Sequence, residues 1–291
     1  MTRRFAVIGC GRAGRAFAHR LAASGYMPAG FASRTMGSAR RAAEISGFSG
    51  GITNRPEDAV AEADIVLITT PDSAIRPTAQ ALARTARFLQ GCAVFHASGA
   101  LSSSELSALG EKGLSTGSIH PLQSFPAELS EKNPFEGIMI GIEGVPEAAE
   151  AGRRMAIDLG GTPFSIETEG KMRYHAAAVV ASNYLVTLMK TALDLLQASG
   201  VPSGSRFAVL KPLIAGTLSN IENAGPVDAL TGPIVRGDTN IVRAHVAEIE
   251  THNPEMVDLY KMMGRHTVDI AYGRNSISGD IRRELLDILA D

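Results

Sequence analysis

FAVIGCGRAG, Phe5 to Gly14, decides how the rest of the chain is read. Phe5-Ala6-Val7-Ile8 is an apolar run long enough for one buried strand. Gly9-x-Gly11-x-x-Gly14 interrupts it, and Ala13, Ala16, Phe17 and Leu21 then recur at helical spacing, with Arg15, His19 and Arg20 on other faces. Strand, glycine turn and helix, in that order, is the context that gives G-x-G-x-x-G meaning. Gly9 allows the tight turn, Gly11 a close approach of backbone to a pyrophosphate, and Gly14 close packing of helix on strand. The helix N-terminus, with Arg12 and Ala13, offers free N–H groups and partial positive charge to an anion. A glycine turn without a ligand is the plainer reading; the order of elements favours a dinucleotide site.

Composition narrows the classes. At 291 residues the chain has room for two domains, and 45% hydrophobic with 20% charged residues is ordinary for a globular protein. A net charge of −2, with no basic run or aromatic cluster, argues against nucleic acid as a partner. Cys10 and Cys92 are too few for a disulfide framework, so a reducing cytoplasm is expected. Cys10 reads as a small filler in the glycine loop. A strand starting at Phe5 leaves no signal peptide, and the longest wholly apolar run, Ala176 to Ala181, is too short to span a bilayer. No metal cluster is expected.

Strands and helices then alternate. Ala29–Ala32 reads as the second strand, and Ser33-Arg34-Thr35 stands where NAD enzymes place an acid for the ribose 2′-hydroxyl. A hydroxyl and a guanidinium suit a 2′-phosphate instead, so NADP is the expected cofactor. Asp64–Thr70 is a continuous apolar strand of the kind covered on both faces. Its end places Thr70 and Pro71 at the cofactor, and Asp72 or Ser73 reads as a helix N-cap. Gly91–His96 is a further strand. Ser98 and Gly99 follow it at the nicotinamide end, and His96 reads as a packed core residue. Leu114–Ile119 runs into His120-Pro121-Leu122-Gln123-Ser124-Phe125, where Pro121 stops the strand. His120, Gln123 and Ser124 form a polar cluster at the edge of the expected cleft, as catalyst or substrate contacts or as a structural loop. Ile138–Ile142 and Thr162–Ile166 give two more strands. The fold class is α/β: a doubly wound Rossmann-like sheet over 1–166, then an all-helical domain over 167–291.

In that second domain Lys171–Ser199 has neither proline nor glycine and predicts one long helix. Its middle is apolar all round and should be buried all round, which a small helical domain achieves by pairing with a second copy. A homodimer is therefore expected. Tyr174-His175 and Ser182-Asn183 interrupt the apolar pattern. His175 and Asn183 are eight residues apart, about 80° around the helix, so both can face one cleft. Further helices are expected at 207–223, 239–251, 254–272 and from 280 onward. Asp238 reads as the N-cap of the helix from Thr239. Arg236 suits a substrate carboxylate or phosphate, or a structural ion pair.

GCGRAG (9–14), TTPD (69–72), HASGA (96–100), HPLQSF (120–125), YHAAAVVASNY (174–184) and GPIVRGD (232–238) together resemble the Rossmann-like oxidoreductases whose C-terminal half is domain-of-unknown-function family 2520. The wider group is similar to 6-phosphogluconate dehydrogenase, ketopantoate reductase, pyrroline-5-carboxylate reductase and deazaflavin-dependent NADP reductase. The resemblance implies a dinucleotide domain followed by a helical domain that commonly dimerises. Hydroxyacid dehydrogenases and ketopantoate reductase carry a Lys four residues before an Asn on the first helix of that domain. Asn183 matches the Asn, but Val179 stands at the Lys position and cannot donate a proton.

These observations imply hydride transfer between NADPH and a small polar carbonyl or imine. Asn183 would bind the reacting atom, His175 or His120 would supply the proton, and Gln123, Ser124, Ser182 and Arg236 would contact substrate. Exchange with a deazaflavin coenzyme needs no strong proton donor and is a second reading. A non-catalytic NADP-binding regulator is a third.

Overall fold

A computed structural model of the chain describes residues 3–126, 132–202 and 204–290. The chain divides into two compact units, Met1–Ala181 and Ser182–Asp291.

The first unit is built on one sheet. Its strands are β1 (Arg4–Ile8), β2 (Met27–Ala32), β3 (Ile52–Thr53), β4 (Ile65–Ile68), β5 (Ala93–His96), β6 (Ser115–Pro121), β7 (Met139–Gly144) and β8 (Thr162–Ser165), in the order β3-β2-β1-β4-β5-β6-β7-β8. The helices are α1 (Arg12–Ala23), α2 (Met36–Ile45), α3 (Pro56–Val60), α4 (Asp72–Thr85), α5 (Ser107–Gly110), α6 (Pro146–Asp158) and α7 (Lys171–Val179). The period-two rule of strands sorts the core. Phe5, Val7, Ile65, Leu67 and Phe95 meet Phe17 and Leu21 of α1 and Met155 of α6 on one face. Ala6, Ile8, Val66, Ile68 and Val94 meet Val60, Ile75, Leu82 and Leu109 on the other. Both faces are covered, which is why these strands carry unbroken apolar runs.

The sheet is parallel from β3 to β6, and β6 pairs with β7 antiparallel. A parallel return needs a crossover element, and the described part of the 122–138 connection supplies none. The reversal departs from strict strand–helix alternation, and a backbone approach makes room for it: a Cβ on Gly144 would lie 2.5 Å from Gly117 Cα. β3, only two residues long, is also unanticipated.

α7 does not continue as one helix. It passes into a π turn, Val180–Tyr184, before α8 (Leu185–Ala198). The last strand ends at Ser165, and α7 falls in the first unit, with Lys171 hydrogen-bonded to Ser98 and Ser118. The second unit continues with α9 (Arg206–Asp228), α10 (Pro233–Arg236), α11 (Thr239–His252), α12 (Val257–Gly273) and α13 (Gly279–Ile288). α9 kinks at Gly225, φ +77°, ahead of Pro226. Val242, Val246, Val268, Ala271 and Leu285 form the core of α11–α13.

α8 and α9 bury no residue. Ala176, Ala177 and Ala181 are exposed and Val180 is 60% exposed, so the burial expected of the apolar middle is not met within one chain. The helical run Thr168–Ala198 holds an 18-residue stretch of mean hydropathy 1.3, long and apolar enough by length and composition to cross a bilayer, a point the short run Ala176–Ala181 did not reveal.

Candidate functional site

The glycine turn is built as its spacing demands. Gly9 has φ +94°, and a Cβ there would meet Thr70 N at 2.7 Å. A Cβ on Gly14 would lie 2.3 Å from Gly9 O and 2.6 Å from Thr69 Oγ1, so the helix can sit on the strand only if residue 14 lacks a side chain. Gly11 has nothing within 4 Å of its Cβ position, so space for a ligand remains over it. Gly9 and Gly11 line a cleft of about 520 Å³ together with Ser33, Arg34, Thr70 and Pro71. Thr35, Ser38 and Asn54 also line it and were not anticipated. Arg12 and Ala13, in the first turn of α1, are not among the lining residues, nor are Ser98 and Gly99.

This cleft fits an NADP-type cofactor. Arg34 is exposed at the end of β2 with no ion-pair partner among the described residues. The Thr70 hydroxyl is buried without a hydrogen-bond partner, which a bound polar group would relieve. Cys10 is buried, and burial pushes its thiol up to about 12, so it is the filler expected.

A second set of polar groups converges at the carboxyl ends of β5 and β6. His96 is fully buried: its Nδ1 accepts the Ser98 N–H at 3.2 Å, so Nε2 carries the proton and donates to Ser102 O at 2.9 Å. Burial lowers its pKa to about 4. Asp72 does not cap α4. Pro71 holds the cap position, and the Asp72 carboxylate accepts the Ser98 hydroxyl at 2.9 Å. Lys171, 1% exposed, donates to Ser98 O and to Ser118 Oγ, both at 2.9 Å. Ser118 Oγ in turn donates to Glu143 at 3.1 Å, and Ser103 and Thr168 satisfy the rest of that carboxylate. Burial alone would raise the Glu143 pKa, but these hydrogen bonds outweigh it and hold the group below its usual range. Burial is also the main reason that Lys171 falls to about 8. The lone Lys in front of an apolar helix and the Glu inside an apolar strand were the available sequence signals for this network.

The network fixes Gly99, against which two imidazoles pack. A Cβ on Gly99 would lie 2.8 Å from His120 Nε2 and 2.8 Å from His175 Nδ1. His120 Nδ1 is hydrogen-bonded to the Tyr174 hydroxyl at 2.7 Å. Burial, and then the charges of Lys171, His175 and His96, lower the His120 pKa to about 4. Burial raises Tyr174 to about 12. His175 Nδ1 is buried and has no hydrogen-bond partner.

The remaining expected residues are placed differently. Gln123 and Ser124 are exposed, and Gln123 Oε1 accepts the Ser124 N–H. In the second unit Ser182 and Asn183 are exposed on the π turn, not in a helical core. Arg236 pairs with Asp238 at 2.8 Å. Asp238 stands at the N-cap of α11 but makes no capping bond, because Arg236 holds its carboxylate.

Residues 4–90 match the family described as NADP oxidoreductase, coenzyme F420-dependent, and residues 138–267 match the domain of unknown function DUF2520. Among curated proteins, none matches the chain. Solved structures share the whole fold. The Bacteroides fragilis protein BF3122, a candidate NADP oxidoreductase, is 24% identical over 92% of this chain and 98% of its own, with TM-score 0.76. Protein TM1727 of Thermotoga maritima is 26% identical over 93% and 99%, with TM-score 0.70. A reductive aminase of Aspergillus terreus is 16% identical over 99% of both chains, also at 0.70. Fold, cleft and partial family matches make the chain similar to Rossmann-like, NADP(H)-binding oxidoreductases. The DUF2520 match begins at β7 and runs on into α12.

Proposed function

We propose that the protein reduces a small polar carbonyl or imine with NADPH. The observation that carries this is one of placement. A cleft lined by Ser33 and Arg34, which suit a 2′-phosphate, and a pair of partly buried imidazoles both lie at the carboxyl ends of the same sheet, where open α/β sheets take their ligands. Gly9, Gly11, Thr70 and Pro71 would hold the dinucleotide, with Arg12, Ala13 and Gly14 forming the helix start and Ser98–Gly99 at the nicotinamide end. The cofactor supplies the hydride, and the chain supplies orientation and a proton. His120 and His175 flank Gly99 and are the proton-donor candidates. Asn183, Ser182, Gln123, Ser124 and Arg236 remain candidates for contact with substrate.

The structural relatives support this substrate class. The Aspergillus terreus reductive aminase was solved with NADPH and ethyl levulinate, and another relative is an imine reductase of Myxococcus stipitatus. The match at residues 4–90 favours one further reading, hydride exchange with a deazaflavin. NADPH oxidation should therefore be followed against 2-oxo acids, ketone–amine pairs, cyclic imines and coenzyme F420. Turnover with a carbonyl or imine is expected. Turnover with F420 alone would move the assignment to the deazaflavin reaction, and tight NADPH binding without oxidation by any acceptor would leave a binding protein.

We further propose a homodimer, with residues 167–291 supplying the interface. The support is the apolar surface of α8 and α9, on which no residue is fully buried.

A further inference from the structure

The two nitrogens of His120 face different things. Nδ1 is hydrogen-bonded to the Tyr174 hydroxyl, and Nε2 faces Gly99 at the end of β5. The proton in the Nδ1 bond can sit on either partner. The half-buried phenol has no other hydrogen bond among the described residues. With the phenol as donor to Nδ1, the ring proton is on Nε2, toward Gly99, and this is the tautomer able to protonate a substrate there.

His120 cannot give up that proton alone. Its surroundings, Lys171, His175 and His96 together with burial, keep it neutral. A neutral imidazole that loses Nε2–H becomes an imidazolate unless Nδ1 is protonated in the same event, and Tyr174 is the hydrogen-bonded group positioned to do it.

We propose that Tyr174 and His120 form a two-proton relay, with Tyr174 as the residue that recharges His120 while His120 protonates the substrate. As hydride from NADPH adds to the carbonyl or imine carbon, the C=O or C=N π pair moves onto the heteroatom. That atom takes the Nε2 proton, and the Tyr174 proton moves to Nδ1. The products are the alcohol or amine, a neutral imidazole of the opposite tautomer and a tyrosinate. A proton from solvent water then reaches Nε2, and the Nδ1 proton returns to the Tyr174 phenolate through the same bond, which restores the starting pair and releases hydroxide to the solvent. Burial favours the protonated Tyr174 phenol, so its anion lasts only until the proton returns. The relay rests on the carbonyl or imine reductase reading above.

Two measurements test it. Nitrogen-15 spectra of the histidine-labelled full chain should show His120 neutral and protonated on Nε2 from pH 6 to 9, and Tyr174→Phe should perturb the Nδ1 resonance. Protonation on Nδ1 would overturn the relay, whatever the activity. The second compares a ketone or neutral imine with a permanently charged N-alkyl iminium, which needs hydride but no proton. Tyr174→Phe should cut kcat for the first by roughly 100-fold or more relative to the second, with NADPH Kd unchanged. An equal loss on both substrates marks a structural role and refutes the relay. So does an unmoved ratio in a protein active on both, and that result leaves the reductase reading intact. A native protein that reduces neither substrate refutes the reductase reading itself.

Discussion

Arg34 lines the cleft and is the residue proposed to set the cofactor choice. An exposed guanidinium beside a glycine turn, with no acid at the end of β2, binds a 2′-phosphate bidentately and has nothing comparable to offer a 2′-hydroxyl. NADPH should bind more tightly than NADH, and Arg34→Ala should remove most of the difference. Fluorescence titration that gives equal affinities in the native protein would refute this. His96 makes a prediction of another kind. In the unfolded chain it protonates near 6.5, and in the folded protein only near 4. Between those values the unfolded chain binds a proton that the native state refuses. Stability should therefore be level above pH 6.5 from this residue and fall as pH drops toward 4, by about 3 kcal/mol. Urea midpoints measured across that window should fall less steeply in His96→Asn; identical slopes would show that the native imidazole titrates normally. At this scale the sequence shows residue types but not their partners. His96 as a core residue follows from its place inside an apolar run. Asp72 was read as a cap because its local position allows it, whereas its actual partner, Ser98, is brought in by a neighbouring strand.

The β1–α1 element separates two uses of glycine that look alike in sequence. Gly14 is needed for packing, since a Cβ would penetrate Gly9 O and Thr69 Oγ1. The packing of the fold does not require Gly11, since its Cβ would touch nothing, and we propose that a ligand does. Gly14→Ala should lower stability by about 1–3 kcal/mol as an overpacked site. Gly11→Ala should leave the Tm within a degree or two of native while weakening NADPH binding severalfold or more. Equal Tm losses in the two variants, or unchanged NADPH affinity in Gly11→Ala, would contradict this division. The element is legible because strand, turn and helix are adjacent in the chain, and each glycine answers a local demand. The antiparallel β6–β7 pair and the π turn at 180–184 are less legible. The first depends on a connection that fails to cross over, and the second leaves no compositional mark on a run free of proline and glycine.

The whole molecule poses a problem that a single chain does not solve. Val186 is 69% exposed, Leu213 68% and Phe207 56%, on two long helices with no fully buried residue. Monomeric proteins rarely leave so much contiguous apolar surface in water. A bilayer and a second copy are the two covers to weigh. A lipid-facing helix should not carry charge mid-span, yet α8 holds the Lys190–Asp194 pair with Lys190 73% exposed, and α9 carries Lys211 and Glu222. Scattered charges on an otherwise apolar helix are ordinary at the rim of a protein interface. A second copy is therefore the expected partner. Light scattering at micromolar concentration should give twice the 30.6 kDa chain mass without detergent. Leu213→Glu combined with Val186→Lys should shift the protein toward monomer or aggregate and lower its Tm, because the uncovered helices lose their packing. A native monomer in plain buffer would rule out the dimer, and recovery only in the membrane fraction, released by detergent, would assign the apolar surface to lipid.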